Sequence, residues 1–427
     1  MVKKNIEKFL ANCVKARLGR LNSIPAAGKV YDSRELENLI QAALEGWWTE
    51  GKWNSLFEEK LKKFLNIKFV HTCNSGSSAN FLAFSALCSS SLGSRRIKKG
   101  DEVITVAASF PTTINPILQN GCVPTFVDVD IPTYNINVQE LRKALSPKTK
   151  AVVLAHTLGN PFNLKAVQSF CKKNKLWLIE DNCDALGSKY NGQYTGTFGD
   201  FGTLSFYPAH HITTAEGGAV ITNNAKLAKI VRSLRDWGKH CWCPTGQDNT
   251  CKKRYSWKLG HLPEGYDHKY IYSELGYNLK LSDLHAAIGV AQMGKLKSFI
   301  KKRQENFAYL HKKFQKFKNY FFLPKATANS KPSWFGFPLA IKEDTLQRAD
   351  LLKYLMKNKI GTRLLFGGNI IRQPYFTDNP ELHFRVIGNL RNTDFIMNNV
   401  FWIGVYPAIT PPMIDKITNI FEKFLKK

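Results

Sequence analysis

The sequence has few acidic residues and few cysteines, and it lacks any long hydrophobic run. Its 427 residues include 33 Asp and Glu against 61 Lys and Arg, which gives a formal net charge of +28. Nine cysteines are far below the density of a disulfide-rich scaffold. No apolar run approaches the ~20 residues of a membrane-spanning helix, and residues 1–20 contain no apolar signal-peptide core. We therefore expect a cytoplasmic protein with reduced thiols and no membrane contact.

The excess of basic residues indicates acidic partners, such as nucleic acid, anionic lipid, a phosphorylated substrate or an acidic protein. The lysines are spread over the whole chain, and no run of five like charges occurs. No helix-turn-helix, zinc-finger or RNA-binding aromatic pattern accompanies them. We therefore expect no nucleic-acid binding, and we assign most lysines to a solvated surface.

Short β-branched runs alternate with helical patterns through the first two-thirds of the chain. This alternation predicts an α/β fold with a mostly parallel sheet, whose ligands bind beyond the carboxyl ends of the strands. We divide the chain into an N-terminal helical arm (1–45), a large domain (46–295) with an irregular cysteine-bearing segment at 238–266, and a smaller C-terminal domain (296–427). We expect one helix from Ser282 through about Arg303 and beyond. The predicted strands are Glu102–Val106, Cys122–Val127, Ala151–His156, Leu176–Glu180, Thr203–Tyr207 and Gly218–Thr222.

Three segments place polar residues at predicted strand ends. Small residues and hydroxyls in 74–78 suit a phosphate at a helix start, although an ordinary N-cap explains them equally well. Glu180-Asp181 ends a buried strand, where a carboxylate could hold a ring nitrogen protonated or could simply be solvated. His210-His211 follows the next strand, and either residue could be a proton shuttle or a surface polar group.

Four of the cysteines have a distinctive spacing. Cys183 is followed after 57 residues by Cys241-Trp242-Cys243, and after 7 more residues by Cys251. Four thiolates are the usual ligands of a 2Fe-2S centre, but this spacing differs from ferredoxins, and zinc or inert thiols stay open. We expect the other five to be small buried apolar residues, namely Cys13, Cys73, Cys88, Cys122 and Cys171.

In this order, the segments resemble the DegT-type family of vitamin B6-dependent nucleotide-sugar aminotransferases and dehydratases, from about Ala42 to the C-terminus. The resemblance implies a fold type I aminotransferase architecture with a mostly parallel seven-stranded sheet and a smaller C-terminal α/β domain. It implies a homodimer in which an Asn reaches the cofactor phosphate of the partner subunit. The cofactor-binding residues that it implies are Gly76, Ser77, Ser78, Phe110, Asp181, Asp184, Ser205 and Asn278, with Phe110 stacking on the cofactor ring and Asp181 pairing with the pyridine nitrogen.

One position departs from the family pattern. His210 stands where the family has the lysine that links covalently to pyridoxal phosphate. An imidazole cannot form that stable link, but it can still remove a proton as a base. Family members with His here are sugar 3-dehydratases that hold pyridoxamine phosphate without a covalent bond. The resemblance therefore implies that His210 is catalytic and that the chain is not an active aminotransferase.

Two kinds of such dehydratase are distinguished by their cysteines. The set Cys183, Cys241, Cys243 and Cys251 resembles the ligand pattern of iron–sulfur members in 3,6-dideoxyhexose and lipopolysaccharide O-antigen synthesis. We therefore expect pyridoxamine phosphate- and 2Fe-2S-dependent dehydration and reductive 3-deoxygenation of CDP-4-keto-6-deoxy-D-glucose, with electrons from a separate NAD(P)H-dependent flavin/iron–sulfur reductase. The alternative is a cluster-free 3-dehydratase that regenerates its amine from glutamate. Arg363 and Arg372 are candidates for the substrate diphosphate, although surface arginines explain them as well.

Overall fold

The computed structural model describes residues 8–14, 23–342 and 345–426, so that residues 1–7 and 15–22 of the predicted N-terminal arm lie outside the described residues. No helix in these ranges is long and apolar enough to cross a membrane. The α-helices are α1 (8–14), α2 (Ser33–Leu44), α3 (Lys52–Leu65), α4 (Gly76–Leu87), α5 (Pro111–Gln119), α6 (Leu141–Ala144), α7 (Leu164–Lys173), α8 (Ala225–Arg235), α9 (Asp283–Met293), α10 (Leu296–Phe314), α11 (Arg348–Lys357), α12 (Pro374–Thr377), α13 (Arg391–Asn399) and α14 (Pro411–Leu425).

The strands form one large sheet and several smaller ones. The large sheet has the order β1-β11-β10-β7-β6-β2-β3-β16, and a second sheet has the order β12-β14-β17-β15. The strands are β1 (Phe69–Cys73), β2 (Glu102–Val106), β3 (Val123–Val127), β4 (Val129–Asp130), β5 (Asn135–Ile136), β6 (Thr149–Ala155), β7 (Trp177–Asp181), β8 (Lys189–Tyr190), β9 (Gln193–Tyr194), β10 (Phe201–Ser205), β11 (Gly218–Thr222), β12 (Phe321–Phe322), β13 (Ser330–Lys331), β14 (Gly336–Ile341), β15 (Thr362–Leu364), β16 (Arg385–Val386) and β17 (Val400–Gly404).

The large sheet confirms the predicted α/β class, with one strand more than the seven expected. Seven strands come from residues 69–222, and among the described residues the eighth is the two-residue β16, which lies parallel to β3. Arg385 on β16 pairs with Glu102 at the start of β2. A two-residue strand has no apolar alternation of its own, so tertiary contacts create it and the sequence pattern could not reveal it.

The strand directions place the ends of several strands at one edge of the sheet. β10, β7, β6, β2 and β3 are parallel neighbours. β11 is antiparallel to both β10 and β1, so β1 runs in the same direction as β10. β10 ends at Ser205, two residues before the predicted end, because Ser205 pairs with Gly218 at the start of β11. The residues that follow these strands therefore share the carboxyl edge, where such sheets bind ligands.

The long helix expected from Ser282 to Arg303 is two helices instead. α9 ends at Met293, and α10 begins at Leu296. The intervening Lys295 is buried, and its Nζ lies 2.6 Å from both carboxylate oxygens of Glu35 on α2. A buried ammonium requires such a partner, and the turn at 294–295 provides the direction in which the side chain reaches it. The prediction of one continuous helix was wrong at this point.

Candidate functional site

The start of α4 and the end of β10 form a small polar rim at the carboxyl edge. Cys73 and Ser205 both pair with Gly218, so the loop after β1 meets the end of β10. The Ser78 N–H donates to Ser75 Oγ at 3.0 Å, which caps α4. A Cβ on Gly76 would lie 2.5 Å from Ser205 Cβ, so a side chain cannot be accommodated there.

This rim has the chemistry of a phosphate site. The first N–H groups of α4 have no partner within the helix, and the helix dipole favours an anion at this end. The hydroxyls of Ser77, Ser78 and Ser205 belong to the same rim, and Ser77 is exposed. The absence of a side chain on Gly76 leaves the backbone open to close approach, and this cradle fits the phosphate of a B6 cofactor.

Asp181 is the last residue of β7 and is held by three donors. Its Oδ2 accepts hydrogen bonds from Asn80 Nδ2 and Thr113 Oγ1, both at 2.7 Å. Its Oδ1 accepts from the Cys183 N–H at 3.2 Å. Asp181 is 6% exposed, so these hydrogen bonds fix the carboxylate in a buried position. A fixed buried carboxylate is suited to hold a proton on a pyridine nitrogen.

Asn80 and Thr113 were missed by the sequence reasoning. Each lies within the first turns of a helix that starts at the carboxyl edge, on α4 and α5 respectively. Their one available signal was a polar residue on an otherwise buried helix face, since Asn80 and Thr113 are 4% and 2% exposed. Buried polar side chains require a hydrogen-bond partner, and here that partner is Asp181.

The preceding acid, Glu180, points to the other side of the strand and is structural. Its Oε1 accepts the N–H groups of Phe198 and Gly199 at 2.7 Å, and its Oε2 accepts the Gly196 N–H at 2.8 Å. His156 Nε2 also lies 3.0 Å from Glu180 Oε2. Glu180 thus anchors the loop at residues 196–199, whereas Asp181 is the carboxylate of the candidate site.

His210 lies beside Asp184 and is partly accessible. Its Nδ1 is 3.3 Å from Asp184 Oδ1, with the two side chains 15% and 13% exposed, although the contact lacks the alignment of a hydrogen bond. Burial raises the pKa of Asp184, and the neighbouring His210 imidazole opposes that rise. Because Nδ1 faces Asp184, Nε2 is the nitrogen that His210 presents for proton transfer.

His211 has a different role from its neighbour. It is 2% exposed, and its Nε2 donates to the Ser333 carbonyl at 2.8 Å. Burial lowers the pKa of His211 well below its usual value, so the ring is neutral at physiological pH. Of the two adjacent histidines, His211 connects β10 to the segment before β14, and His210 is the one available for chemistry.

Phe110 presents an open aromatic ring at the same edge. It caps α5, is 51% exposed, and has its ring centroid 6.5 Å from that of Phe366 in an edge-on arrangement. An exposed large aromatic on a ligand-binding edge is a stacking surface for a planar ring. The polar rim, Asp181 and Phe110 thus suit the phosphate, the ring nitrogen and the ring face, respectively, of a pyridoxal or pyridoxamine phosphate.

Asn278 is exposed on a segment that touches the phosphate loop of its own chain. The Asn74 N–H donates to the Leu279 carbonyl at 2.9 Å. Asn278 Oδ1 accepts from Lys280 Nζ at 2.7 Å, and that ammonium also lies 2.9 Å from Asp236 Oδ1 and 3.5 Å from the Trp237 ring centroid. Lys280 therefore orders this segment. The contact of Asn278 with a partner subunit stays a prediction.

The two arginines considered for a diphosphate differ in their surroundings. Arg372 forms two 2.7 Å hydrogen bonds to the carboxylate of Asp394, which offsets its charge. Arg363 is exposed and donates to the Thr362 carbonyl at 2.8 Å. Arg363 is therefore the better placed of the two to receive an anion.

Three of the four spaced cysteines come together with a histidine. The ligand atoms of Cys241, Cys243, Cys251 and His268 all lie within 4.8 Å of one another; we call these residues the Cys/His group. Cys183 is not a member of this group in the described ranges. It follows β7 beside Asp181, and its role as a metal ligand stays a prediction. His268 is the residue that the sequence reasoning missed, because it lies 17 positions beyond Cys251.

Backbone contacts support two of the sulfurs. The Cys243 N–H donates to Cys241 Sγ at 3.3 Å, and the Cys251 N–H donates to Cys243 Sγ at 3.4 Å. Burial raises the pKa of Cys241 to about 12. Burial also acts to raise the pKa of Cys243, but hydrogen bonds from Thr250 and the Cys251 N–H outweigh it and bring the value to about 7. The mixed thiol and imidazole set fits a thiophilic metal centre.

The segment that carries this group is fixed by close backbone contacts. Gly238 has φ +82°, and a Cβ there would lie 1.9 Å from the Glu274 carbonyl oxygen, so glycine is required. The His240 N–H donates to the Ile271 carbonyl at 2.9 Å. Of the five cysteines expected to be buried, Cys73, Cys122 and Cys171 are buried, whereas Cys88 is half-buried and Cys13 is exposed, which corrects the prediction for Cys13.

The comparisons with known proteins agree with this geometry. The model of the DegT/DnrJ/EryC1/StrS aminotransferase family matches residues 30–422. The lipopolysaccharide biosynthesis protein RfbH of Salmonella typhimurium is 54% identical over 402 residues, covering 94% of this chain and 91% of that protein. A dTDP-4-dehydro-2,6-dideoxy-D-glucose 3-dehydratase of Saccharopolyspora spinosa is 48% identical, covering 95% of this chain and 87% of that protein.

A solved structure matches over almost the same length. It is a GDP-4-keto-6-deoxymannose-3-dehydratase with a trapped PLP-glutamate geminal diamine, with a TM-score of 0.81 and 29% identity, covering 93% of this chain and 99% of that one. The resemblance to this family is therefore confirmed, whereas the closer resemblance to its iron–sulfur members stays a prediction. The chain belongs to the DegT/DnrJ/EryC1/StrS aminotransferase family and has its α/β fold.

Proposed function

We propose that the chain is a B6-dependent nucleotide-sugar 3-dehydratase that acts on a 4-keto-6-deoxyhexose in lipopolysaccharide synthesis. The observation that carries this proposal is His210 at the position of the family's lysine, placed beside Asp184 at the carboxyl edge. A base that cannot bind the cofactor covalently favours elimination over amino transfer. Relatives named as a 3-dehydratase and a lipopolysaccharide biosynthesis protein support the proposal.

Each site residue has a stated task in this reaction. When bound, the pyridoxamine or pyridoxal phosphate supplies an electron sink that makes an adjacent carbon–hydrogen bond acidic. The α4 N–H groups, with the hydroxyl of Ser205, bind its phosphate, and Phe110 orients its ring. Asp181 holds the proton on the ring nitrogen. His210 takes up the proton at Nε2, while Asp184 at Nδ1 orients the imidazole and stabilises its charged form.

Two routes complete the reaction after the 3-hydroxyl has left. The solved 3-dehydratase relative with glutamate trapped on its cofactor supports regeneration of the amine from glutamate, with no cluster. The comparisons favour this route. The Cys/His group supports the other route, in which its side chains would hold a 2Fe-2S centre that supplies electron transfer, from a separate NAD(P)H-dependent reductase as the electron source to the dehydrated sugar as the acceptor. For that route we propose CDP-4-keto-6-deoxy-D-glucose as the substrate.

The test is an assay of the full-length protein, purified anaerobically, with CDP-, GDP- and dTDP-linked 4-keto-6-deoxyhexoses. Dehydration with pyridoxal phosphate and glutamate, unaffected by removal of iron, supports the glutamate route. Turnover that requires iron and a reductase supports the reductive route. The proposed function is refuted if none of the three substrates is dehydrated, whether glutamate or a reductase is supplied.

We also propose that the protein is a homodimer in which Asn278 reaches the partner's cofactor phosphate. Large apolar side chains around Asn278 are exposed in the single chain, with Leu275 89% and Trp237 45% exposed. Contiguous exposed apolar surface of this kind is typical of an interaction face. Sedimentation velocity measures the oligomeric state of the wild type and of Leu275→Asp. We expect the wild type to be a dimer and Leu275→Asp to be a monomer. A wild-type monomer would contradict the proposal.

A further inference from the structure

His268 is a buried histidine that none of the sequence motifs contains. Its side chain is 0% exposed. Its Nδ1 lies 3.1 Å from Cys241 Sγ and 3.1 Å from Cys251 Sγ. Its Nε2 has no hydrogen-bond partner in the described ranges, and Asp267 Oδ1 is 4.0 Å away. Burial of an imidazole whose close side-chain partners are sulfur atoms is costly, and metal coordination compensates for that cost.

The backbone around His268 fixes the direction of the ring. The His268 N–H donates to the Arg254 carbonyl at 2.9 Å, three residues beyond Cys251. The Arg254 guanidinium returns to Asp267 Oδ2 at 3.0 Å. Trp257 lies beside the imidazole, with its ring centroid 6.1 Å from that of His268. The loop that bears Cys251 and the turn that bears His268 are thus tied together, which preorganises a ligand set.

We propose that His268 Nδ1 is the fourth protein ligand of a metal centre held by Cys241, Cys243 and Cys251, in place of Cys183. The proposal rests on the metal-dependent route above. Three thiolates and one imidazole are an established ligand chemistry for zinc, and imidazoles also replace thiolates on two-iron clusters. Cys183 lies at the cofactor edge, where its N–H supports Asp181. Exchange of a thiolate for a neutral ligand makes such a centre less negative and raises its reduction potential.

The test uses the full-length protein, reconstituted anaerobically with iron and sulfide, with cofactor present throughout. Iron and zinc per chain, visible absorption and pulsed EPR of the reduced protein are measured for wild type, His268→Ala, His268→Cys and Cys183→Ser. We expect about two irons in the wild type, with a strong nitrogen-14 coupling from a bound imidazole. Cys183→Ser should keep both signals. His268→Ala should lose most of the iron, and His268→Cys should keep iron but lose the nitrogen coupling.

The outcomes separate this inference from the proposed route. A wild-type cluster without nitrogen coupling that is lost in Cys183→Ser and kept in His268→Ala overturns the role of His268 and leaves the reductive route intact. One zinc per chain, lost in His268→Ala and kept in Cys183→Ser, supports the ligand set and refutes the iron–sulfur route. Failure to bind either metal refutes both. His268→Cys guards against misfolding of the alanine variant, because it supplies an alternative ligand.

Discussion

The cofactor edge of the large sheet and the segment of the Cys/His group are constructed in opposite ways. At the cofactor edge, Asp181 and Ser205 end buried strands and His210 follows one, and Asp181 is held by donors from two helices. In the cysteine segment, residues 238–276 contain little regular structure, and turns, glycine contacts and ion pairs fix the backbone. The first region is preorganised by the fold itself, whereas in the second we expect a bound metal to add connections between turns that are otherwise held by backbone contacts and ion pairs.

Because the two regions are built differently, we expect substitutions in them to affect different properties. At the cofactor edge, where the side chains are positioned by strands, single substitutions should lower activity and leave the stability of the fold nearly unchanged. In the cysteine segment, where the side chains are positioned by loops, substitutions should lower the metal content and increase local opening, and the large sheet should be unaffected.

Replacement of the proposed base should have the largest effect. His210→Asn removes the proton acceptor at Nε2, and we expect the dehydration rate to fall about 10²–10⁴-fold, the usual contribution of a general base. Cofactor binding, followed by absorption and fluorescence, should be retained, because the phosphate rim and Asp181 are intact. His311→Asn, in the half-buried surface of α10, is the matched control. Full activity of His210→Asn would contradict the assignment.

The support of Asp181 should give a smaller effect. Thr113→Val removes one 2.7 Å hydrogen bond to the carboxylate at nearly constant volume. Hydrogen bonds to charged groups contribute about 1.5–3 kcal/mol, so we expect turnover to fall by roughly 10- to 150-fold. Asp181→Asn should have a larger effect than Thr113→Val, and Thr112→Val, on the neighbouring residue, should have none. Equal rates for Thr113→Val and wild type would show that this donor does not support Asp181 in the reaction.

These two regions also differ in how far the sequence revealed them. Asp181 and His210 could be placed near one edge because parallel strands bring their carboxyl ends together, whereas Ser205 was named only through the family resemblance. Asn80 and Thr113 required knowledge of which helix faces meet Asp181. His268 could not be predicted, because a contact between residues 251 and 268 depends on loop geometry that has no periodic signal. The two-residue strand β16 was not predicted for the same reason.

The buried carboxylate beside His210 should give a measurable pH effect. Burial raises the pKa of Asp184 above 3.8, so the folded protein binds this proton more tightly than the unfolded chain does. The stability of wild type relative to Asp184→Asn should therefore fall as pH rises from about 3.8 through the raised pKa, and then stay level. Urea denaturation at several pH values measures this. A relative stability that rises with pH would contradict the direction of the shift. Turnover of Asp184→Asn should also decrease, because His210 Nδ1 loses its partner.

Removal of metal should affect the cysteine segment alone. Chelation should increase amide hydrogen exchange in residues 238–276, because the ligands no longer connect its loops. Exchange in β6 and β7, in the middle of the large sheet, should stay unchanged. Mass spectrometry of peptides before and after chelation gives both values in one experiment. Equal increases in the segment and in the large sheet would show that the two regions unfold together, and the distinction between them would fail.

The smallest effect should come from the surface ion pairs of the same segment. Arg254 bridges Asp267 at 3.0 Å and Asp248 at 3.4 Å, and Lys269 also pairs with Asp248. Because exposed pairs of this kind add little to stability, Arg254→Gln should leave the Tm and the metal content close to wild type. The Arg254 carbonyl, which accepts the His268 N–H, is unchanged by the substitution. If Arg254→Gln instead releases the metal as readily as His268→Ala does, the ion pairs rather than the metal ligands hold His268 in place, and the segment is ordered by its surface charges.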